Sequence, residues 1–110
     1  MITITLSETK NLLEIEARGH SMGTDEPCSR VSTTLDLVKL FLTRFTVASE
    51  RKNGYTYLKI IKSPLSEELL VNSVLYLKEL SKFYPNHVAI EERKLQYVKK
   101  IQVNQTNPSD

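Results

Sequence analysis

The first nineteen residues, MITITLSETKNLLEIEARG (1–19), contain two short runs in which apolar and polar side chains alternate. Successive side chains of a β-strand point to opposite faces, so each run would present one apolar face. The apolar positions are Ile2, Ile4 and Leu6 in the first run and Leu13, Ile15 and Ala17 in the second. A polar ETKN segment separates the two runs. This stretch therefore predicts a β-hairpin with one buried face.

Two longer segments place apolar residues three and four positions apart, a spacing that forms one stripe along an α-helix. The stripes are Val31, Leu35, Val38, Leu42 and Phe45 in the first segment, and Leu70, Val74, Leu77 and Leu80 or Ser81 in the second. Ser63 and Pro64 indicate where the second helix begins, because serine is a good N-cap and proline suits the first helical position. We expect both stripes to pack on the apolar face of the sheet.

The first helix also carries Leu37, Leu40 and Phe41 beside its stripe. One sheet cannot bury so wide an apolar arc. We therefore expect the second helix or a second copy of the chain to cover the rest, and we predict a homodimer.

The remaining segments complete an α+β order. Asn53-Gly54 separates two strand-like runs and favours a two-residue hairpin turn, because both residues tolerate positive φ. HVAIEE (87–92) predicts a short strand, and residues 93–103 fit either a strand or a short helix. The predicted order is ββαββαβ, a small sheet with two helices in a single domain over residues 1–103, followed by a polar tail over 104–110.

Composition narrows the class of protein. The chain has 110 residues, of which 40% are hydrophobic and 25% charged, as in ordinary globular domains. A net charge of +2 gives little electrostatic support for nucleic-acid binding, and a single cysteine cannot form an intramolecular disulfide. The sequence has neither a signal-peptide pattern nor the ~18 consecutive apolar residues of a membrane span. We expect a cytoplasmic protein with no membrane partner.

An aromatic strand motif in NGYTYLKI (53–60) resembles one used by RNA-recognition domains to stack bases. That fold needs the order βαββαβ and an aromatic residue in its first strand, and MITITLS has none. We therefore interpret Tyr55 and Tyr57 as a pair on an exposed or partner-covered face. RNA binding stays open as an alternative.

The segment GHSMGTDEPCSR (19–30) carries the candidate chemistry. His20 would end the second strand, and Thr24 or Asp25 would cap the first helix, which places Cys28 in its first turn. The unpaired N–H groups and partial positive charge of a helix N-terminus favour a thiolate. A thiol beside an imidazole is the minimum for thiol catalysis, with the backbone N–H groups of Cys28 and Ser29 as candidate oxyanion donors. The alternative is a packed, unreactive thiol. The spacing indicates no metal site.

The same segment resembles a known motif. Gly19-His20, then Gly23 and Asp25, then Cys28-Ser29-x-Val31-Ser32 are similar to the signature of the ribosomal-processing cysteine proteases, the Prp family. In that family the pattern is Gly-His, a loop with Gly-x-Asp, and Cys-Ala-x-Val-Ser/Thr. The order of strands and helices also resembles that family over nearly the whole chain. The departures are a shorter loop between histidine and cysteine, Ser29 in place of alanine and Pro27 in place of an apolar residue.

The resemblance implies a bacterial, homodimeric cysteine protease without a cofactor. Its substrate would be the N-terminal extension of a large-subunit ribosomal protein. Cys28 would be the nucleophile and His20 the general base, supported by Asp25, Ser29 and Ser32. Gly19 and Gly23 would be hinges of the loop, which in that family gates substrate entry. The alternative is a catalytically inactive relative that acts as a ribosome- or RNA-associated binding module.

Overall fold

The two alternating runs form the predicted hairpin. In a computed structural model, which describes residues 1–21 and 23–93, strand β1 (Ile2–Glu8) pairs antiparallel with β2 (Leu12–Gly19). The register sets Ile2 opposite Gly19 and Glu8 opposite Leu13. This register puts every apolar residue of the two runs on the same face of the sheet.

The described residues contain five strands and two α-helices, and this confirms the predicted α+β order. After the first hairpin come α1 (Glu26–Phe41), a 3-10 turn (Thr43–Phe45), β3 (Thr46–Lys52), β4 (Tyr55–Ile61), α2 (Pro64–Phe83) and β5 (Val88–Glu92). The strand order across the sheet is β3-β4-β2-β1-β5. Strand β5 runs parallel to β1, and the other neighbouring strands are antiparallel.

The core lies between the sheet and the helices. Most residues of the predicted sheet face and of the first helical stripe are at most 3% exposed: Ile2, Ile4, Leu6, Leu13, Ile15, Val31, Leu35, Val38 and Leu42. Ala17 is 6% exposed. The helix ends at Phe41, earlier than the stripe predicts, so Leu42 is its C-cap and Phe45 lies half-buried in the 3-10 turn. In α2 the stripe is completed by Leu80, which is 4% exposed, and Val71 joins it. The two sequence periods therefore identify the buried faces correctly.

A capping box holds the start of α2. The Ser63 hydroxyl accepts a hydrogen bond from the Ser66 backbone N–H at 3.1 Å, and the Ser66 hydroxyl accepts one from the Ser63 N–H at 2.8 Å. Ser66 is fully buried, and its hydroxyl donates to the Ile61 carbonyl at 2.7 Å. This serine thus ties the end of β4 to the first turn of α2.

The wide apolar arc of α1 is only partly covered. Leu37 is 46% exposed, and Leu40 and Phe41 are each 66% exposed, so α2 does not bury them. A groove of about 470 Å³ runs between the two helices beside Leu37 and Phe41. The predicted homodimer stays a prediction.

Some predictions for the C-terminal part of the chain fall on residues that the structure does not describe. The strand-or-helix segment continues beyond Arg93, and the domain end at 103 and the tail 104–110 lie outside the described residues. No helix in the described ranges is both long and apolar enough to cross a bilayer.

Candidate active site

Cys28 occupies the first turn of α1, as the sequence predicts. Asp25 is the N-cap residue, Glu26 begins the helix, and the buried Pro27 precedes the cysteine. Proline is suited to this turn because its missing N–H has no intrahelical acceptor to lose. Cys28 is half-buried and packs against the edge of the core. Its backbone is thus fixed by the helix while its side chain reaches a pocket.

His20 directly follows β2, and Gly19 makes the bend that turns the chain there. Gly19 has φ of +108°, and a Cβ at this position would lie 2.2 Å from the Met1 carbonyl oxygen. The Gly19 N–H donates to the Gly54 carbonyl at 2.9 Å, and the Met1 ammonium group donates to the His20 carbonyl at 2.7 Å. These contacts hold the backbone of His20 from both sides, while its imidazole is exposed.

One pocket of about 280 Å³ brings the predicted pair together. Cys28 and His20 both line it, with Ser32 one helical turn beyond the cysteine. The rest of the lining comes from the ends of β1 and β2, from the core, and from the β3–β4 turn: Ile2, Ala17, Gly19, Val31, Arg51, Lys52, Asn53, Gly54, Tyr55 and Thr56. A strand end, a helix start and a hairpin turn therefore meet around the thiol and the imidazole.

Asp25 does not cap α1 with its side chain. Within the described residues its carboxylate accepts no capping hydrogen bond. The backbone explains this, because Asp25 has helical angles (φ −91°, ψ −11°), whereas a capping side chain needs an extended N-cap residue. Thr24 partly replaces it, since its hydroxyl accepts from the Glu26 N–H at 3.4 Å. Asp25 and Gly23 are exposed and lie outside the pocket lining just described.

The Ser29 N–H is not free for an oxyanion. It donates to the Asp25 carbonyl at 2.9 Å as the first hydrogen bond of α1. The Ser29 side chain lies on the other face of the helix, in the groove between α1 and α2. The expectation of paired donors from Cys28 and Ser29 is therefore wrong for Ser29, and the first turn retains the N–H of Cys28 as its candidate donor.

The first turn of α1 is anchored to α2. Arg30 donates to the Glu26 carboxylate at 2.7 Å and 3.0 Å, and it reaches the Tyr76 hydroxyl at 3.5 Å. The hydrogen bond from Arg30, with a smaller contribution from Tyr84, holds the pKa of Glu26 below its usual range. This network fixes the outer face of the turn whose inner face carries Cys28.

The rim of the pocket is basic but paired. Arg51 forms an ion pair with Asp36, and Lys52 pairs with Glu50 at 3.3 Å. Lys52 and Arg18 also lie over the Tyr55 ring, at 5.3 Å and 4.9 Å from its centroid. These contacts order the hairpin end that forms one wall of the pocket.

The tyrosines of β4 are engaged by carboxylates. Tyr55 donates to Glu16 at 3.0 Å and Tyr57 donates to Glu14 at 2.5 Å. Burial and then the Glu14 hydrogen bond raise the pKa of Tyr57 to about 12. With Arg18 and Lys52 over the Tyr55 ring, this face carries both acidic and basic side chains.

The sequence did not identify the β3–β4 turn as part of the site. Asn53-Gly54 was predicted to be a hairpin turn, and it is one, with φ of +73° at Gly54. The contact of this turn with His20 depends on the antiparallel pairing of β2 with β4, which no local pattern specifies.

Known proteins resemble this chain in fold more than in sequence. No protein-family model matches the chain, and no curated protein matches its sequence. Among solved structures, the chain is similar to the essential ribosomal processing protease Prp from S. aureus in complex with a substrate peptide, with a TM-score of 0.73 and 14% identity. It is also similar to the same protease with a covalently linked product peptide, with a TM-score of 0.71 and 14% identity. Each match covers 84% of this chain and 100% of that chain.

A third neighbour is SMU.848 from Streptococcus mutans, with a TM-score of 0.64 and 22% identity over 84% of this chain and 96% of that one. These likenesses span nearly all of the described residues. The structural neighbours confirm, at the level of the fold, the resemblance to the Prp proteases that the segment around His20 and Cys28 indicates.

Proposed function

We propose that this chain is a cysteine endopeptidase, with Cys28 as the nucleophile and His20 as the general base. The observation that carries the proposal is the pocket of about 280 Å³ lined by both side chains. The shared fold supports it, because two of the similar structures are a protease with a substrate peptide and with a covalently linked product peptide.

The proposed reaction begins with proton transfer from the Cys28 thiol to the His20 imidazole. The thiolate attacks the carbonyl carbon of the scissile peptide bond and forms a C–S bond. His20 then gives the proton to the leaving amine as the C–N bond breaks. Water, deprotonated by His20, attacks the resulting thioester, releases the carboxylate product and restores the thiol.

The helix supports the charges that develop in these steps. Cys28 lies at the N-terminus of α1, where the helix dipole places a partial positive charge that interacts favourably with negative charge created during the reaction. The backbone N–H of Cys28 belongs to the same first turn and is the candidate donor to the oxyanion of the substrate. Ser32 lies one turn further along the pocket wall and is a candidate to bind substrate.

The proposed substrate is the N-terminal extension of a large-subunit ribosomal protein. This proposal rests on the motif resemblance together with the fold of the S. aureus protease, whose description names ribosomal processing. On the same basis we propose that the protein is bacterial, cytoplasmic and a homodimer. The exposed Leu37, Leu40 and Phe41 support the dimer.

A cleavage assay with peptides that span the junction of such an extension tests the function. We expect Cys28→Ala and Cys28→Ser to abolish cleavage, and His20→Ala to slow it by at least ~10²-fold, the loss typical of a general base. His87→Ala is the matched control. This second histidine lies in the turn before β5, and the hydrogen bonds it makes there come from its backbone, which the substitution keeps. Equal cleavage by wild type and Cys28→Ala would contradict the proposal. An inactive wild type with a normal fold would favour the binding-module alternative.

A further inference from the structure

The β3–β4 turn contacts the imidazole of His20 through Gly54. A Cβ built on Gly54 would lie 2.5 Å from Nε2 of His20, 3.1 Å from Cε1 and 3.2 Å from Cδ2. Ordinary contacts of a Cβ begin near 3.4 Å, so the ring occupies space that any other residue type would need. The outer part of the imidazole thus packs directly on the backbone of the turn.

The backbone on both sides of this contact is fixed. The Gly54 carbonyl accepts a hydrogen bond from the Gly19 N–H at 2.9 Å, which joins the turn to the residue before His20. The antiparallel register of β2 and β4, with Arg18 opposite Tyr55, continues the connection. The turn is therefore hydrogen-bonded to the end of β2 directly beside His20.

We propose that Gly54 is a positioning residue for His20: its bare backbone forms the surface that sets the orientation of the imidazole in the pocket that Cys28 also lines. This inference rests on the proposed function for its catalytic meaning, but the contact itself can be tested without it. His20 is exposed, and the bare backbone of Gly54 lies against the outer edge of its ring. Without the contact, an exposed side chain would sample several rotamers.

A methyl group at position 54 would force the ring to move by about 1 Å to regain normal contact. Displacements of this size in a catalytic group cost on the order of 10²-fold in rate. Since the ring is an exposed side chain, it can move without unfolding the chain. Gly54→Ala should therefore slow cleavage strongly, while its effect on the free energy of unfolding should be much smaller.

Two further variants separate the contact from backbone strain. Gly54→Asn keeps the clash but reduces the strain, because asparagine tolerates positive φ better than alanine. Gly23→Ala introduces similar strain at φ of +82°, and a Cβ there has no described atom within 4 Å. For the orientation of His20, Gly23→Ala is therefore the matched control.

The test is NMR of the imidazole protons combined with alkylation of Cys28. In the wild type we expect a nuclear Overhauser effect between Gly54 Hα and His20 Hε1 or Hδ2. Both Gly54 variants should shift the His20 ring signals, and Gly23→Ala should leave them in place. The ring signals of His87, the second histidine, are the internal reference in every sample.

Alkylation tests the link to the thiol. Gly54→Ala should slow alkylation of Cys28 toward the rate of His20→Ala, and adding Gly54→Ala to His20→Ala should have no further effect. A missing Overhauser effect, or unchanged ring signals in both Gly54 variants, would overturn the positioning role. If the ring signals shift but His20→Ala does not alter alkylation, the contact stands and the proposed function fails.

Discussion

The two helix N-termini give a sharp stability prediction, because they differ in backbone geometry. Ser63 is extended (φ −154°, ψ 164°) and caps α2 through its side chain, whereas Asp25 is helical and, among the described residues, makes no such bond. Ser63→Ala removes the acceptor of the buried Ser66 N–H. Losing a cap costs about 1 kcal/mol, and the partly desolvated N–H adds to it, so we expect about 1.5 kcal/mol. Asp25→Ala should cost only ~0.3 kcal/mol, the value of an exposed charge at a helix N-terminus.

Urea and thermal denaturation of the two variants measure this difference. A cost of 1 kcal/mol shifts the melting temperature by roughly 4–8 °C in a domain near this size, so the variants should be clearly separated. Equal destabilisation by Asp25→Ala and Ser63→Ala would refute the reasoning from backbone angles. If Asp25→Ala slows cleavage at unchanged stability, Asp25 steadies the loop and does not act as a helix cap.

Three other predictions concern titration, the core and assembly. The raised pKa of Tyr57 means that the folded chain retains the hydroxyl proton between pH 10 and about 12 while the unfolded chain releases it, so stability should fall across this window. Tyr57→Phe should reduce that fall in pH-dependent urea titrations, and an identical pH profile would contradict the assignment. Leu35→Ala, at a site 1% exposed, should lower the free energy of unfolding by about 2–5 kcal/mol. Leu40→Ala, at a site 66% exposed, should cost under about 0.5 kcal/mol in denaturation of the monomer. Sedimentation at micromolar concentration should show a dimer that Leu40→Asp weakens, and a wild-type monomer under these conditions would contradict the assembly.

The sequence predicted the parts of the fold that depend on local periodicity. Alternation identified Ile4 and Ile15 as core residues, three-and-four spacing identified Leu35 and Val74, and Asn53-Gly54 marked a turn. Each of these patterns is short and local. Burial of its apolar face then determines which side of the strand or helix packs against the core. The position of Cys28 at the start of α1 followed from the same local reasoning.

The features that were missed are non-local or depend on backbone angles. The parallel pairing of β5 with β1 and the contact between Gly54 and His20 join distant segments, and no single segment encodes them. Ser66 interrupts an apolar pattern, so its buried capping role could not be read from hydrophobicity. Asp25 has the right residue type for a cap, but its backbone angles are helical and not extended.

Reactivity of the single cysteine distinguishes a catalytic thiol from a packed, unreactive one. Because Cys28 is the chain's only cysteine, the rate of its alkylation by iodoacetamide can be followed by mass without ambiguity. We expect Cys28 to react faster than a free model thiol near neutral pH, His20→Ala to slow the reaction, and His87→Ala to leave the rate unchanged. Slow alkylation that is the same in wild type and His20→Ala would show that Cys28 is a packed thiol and would contradict the protease proposal.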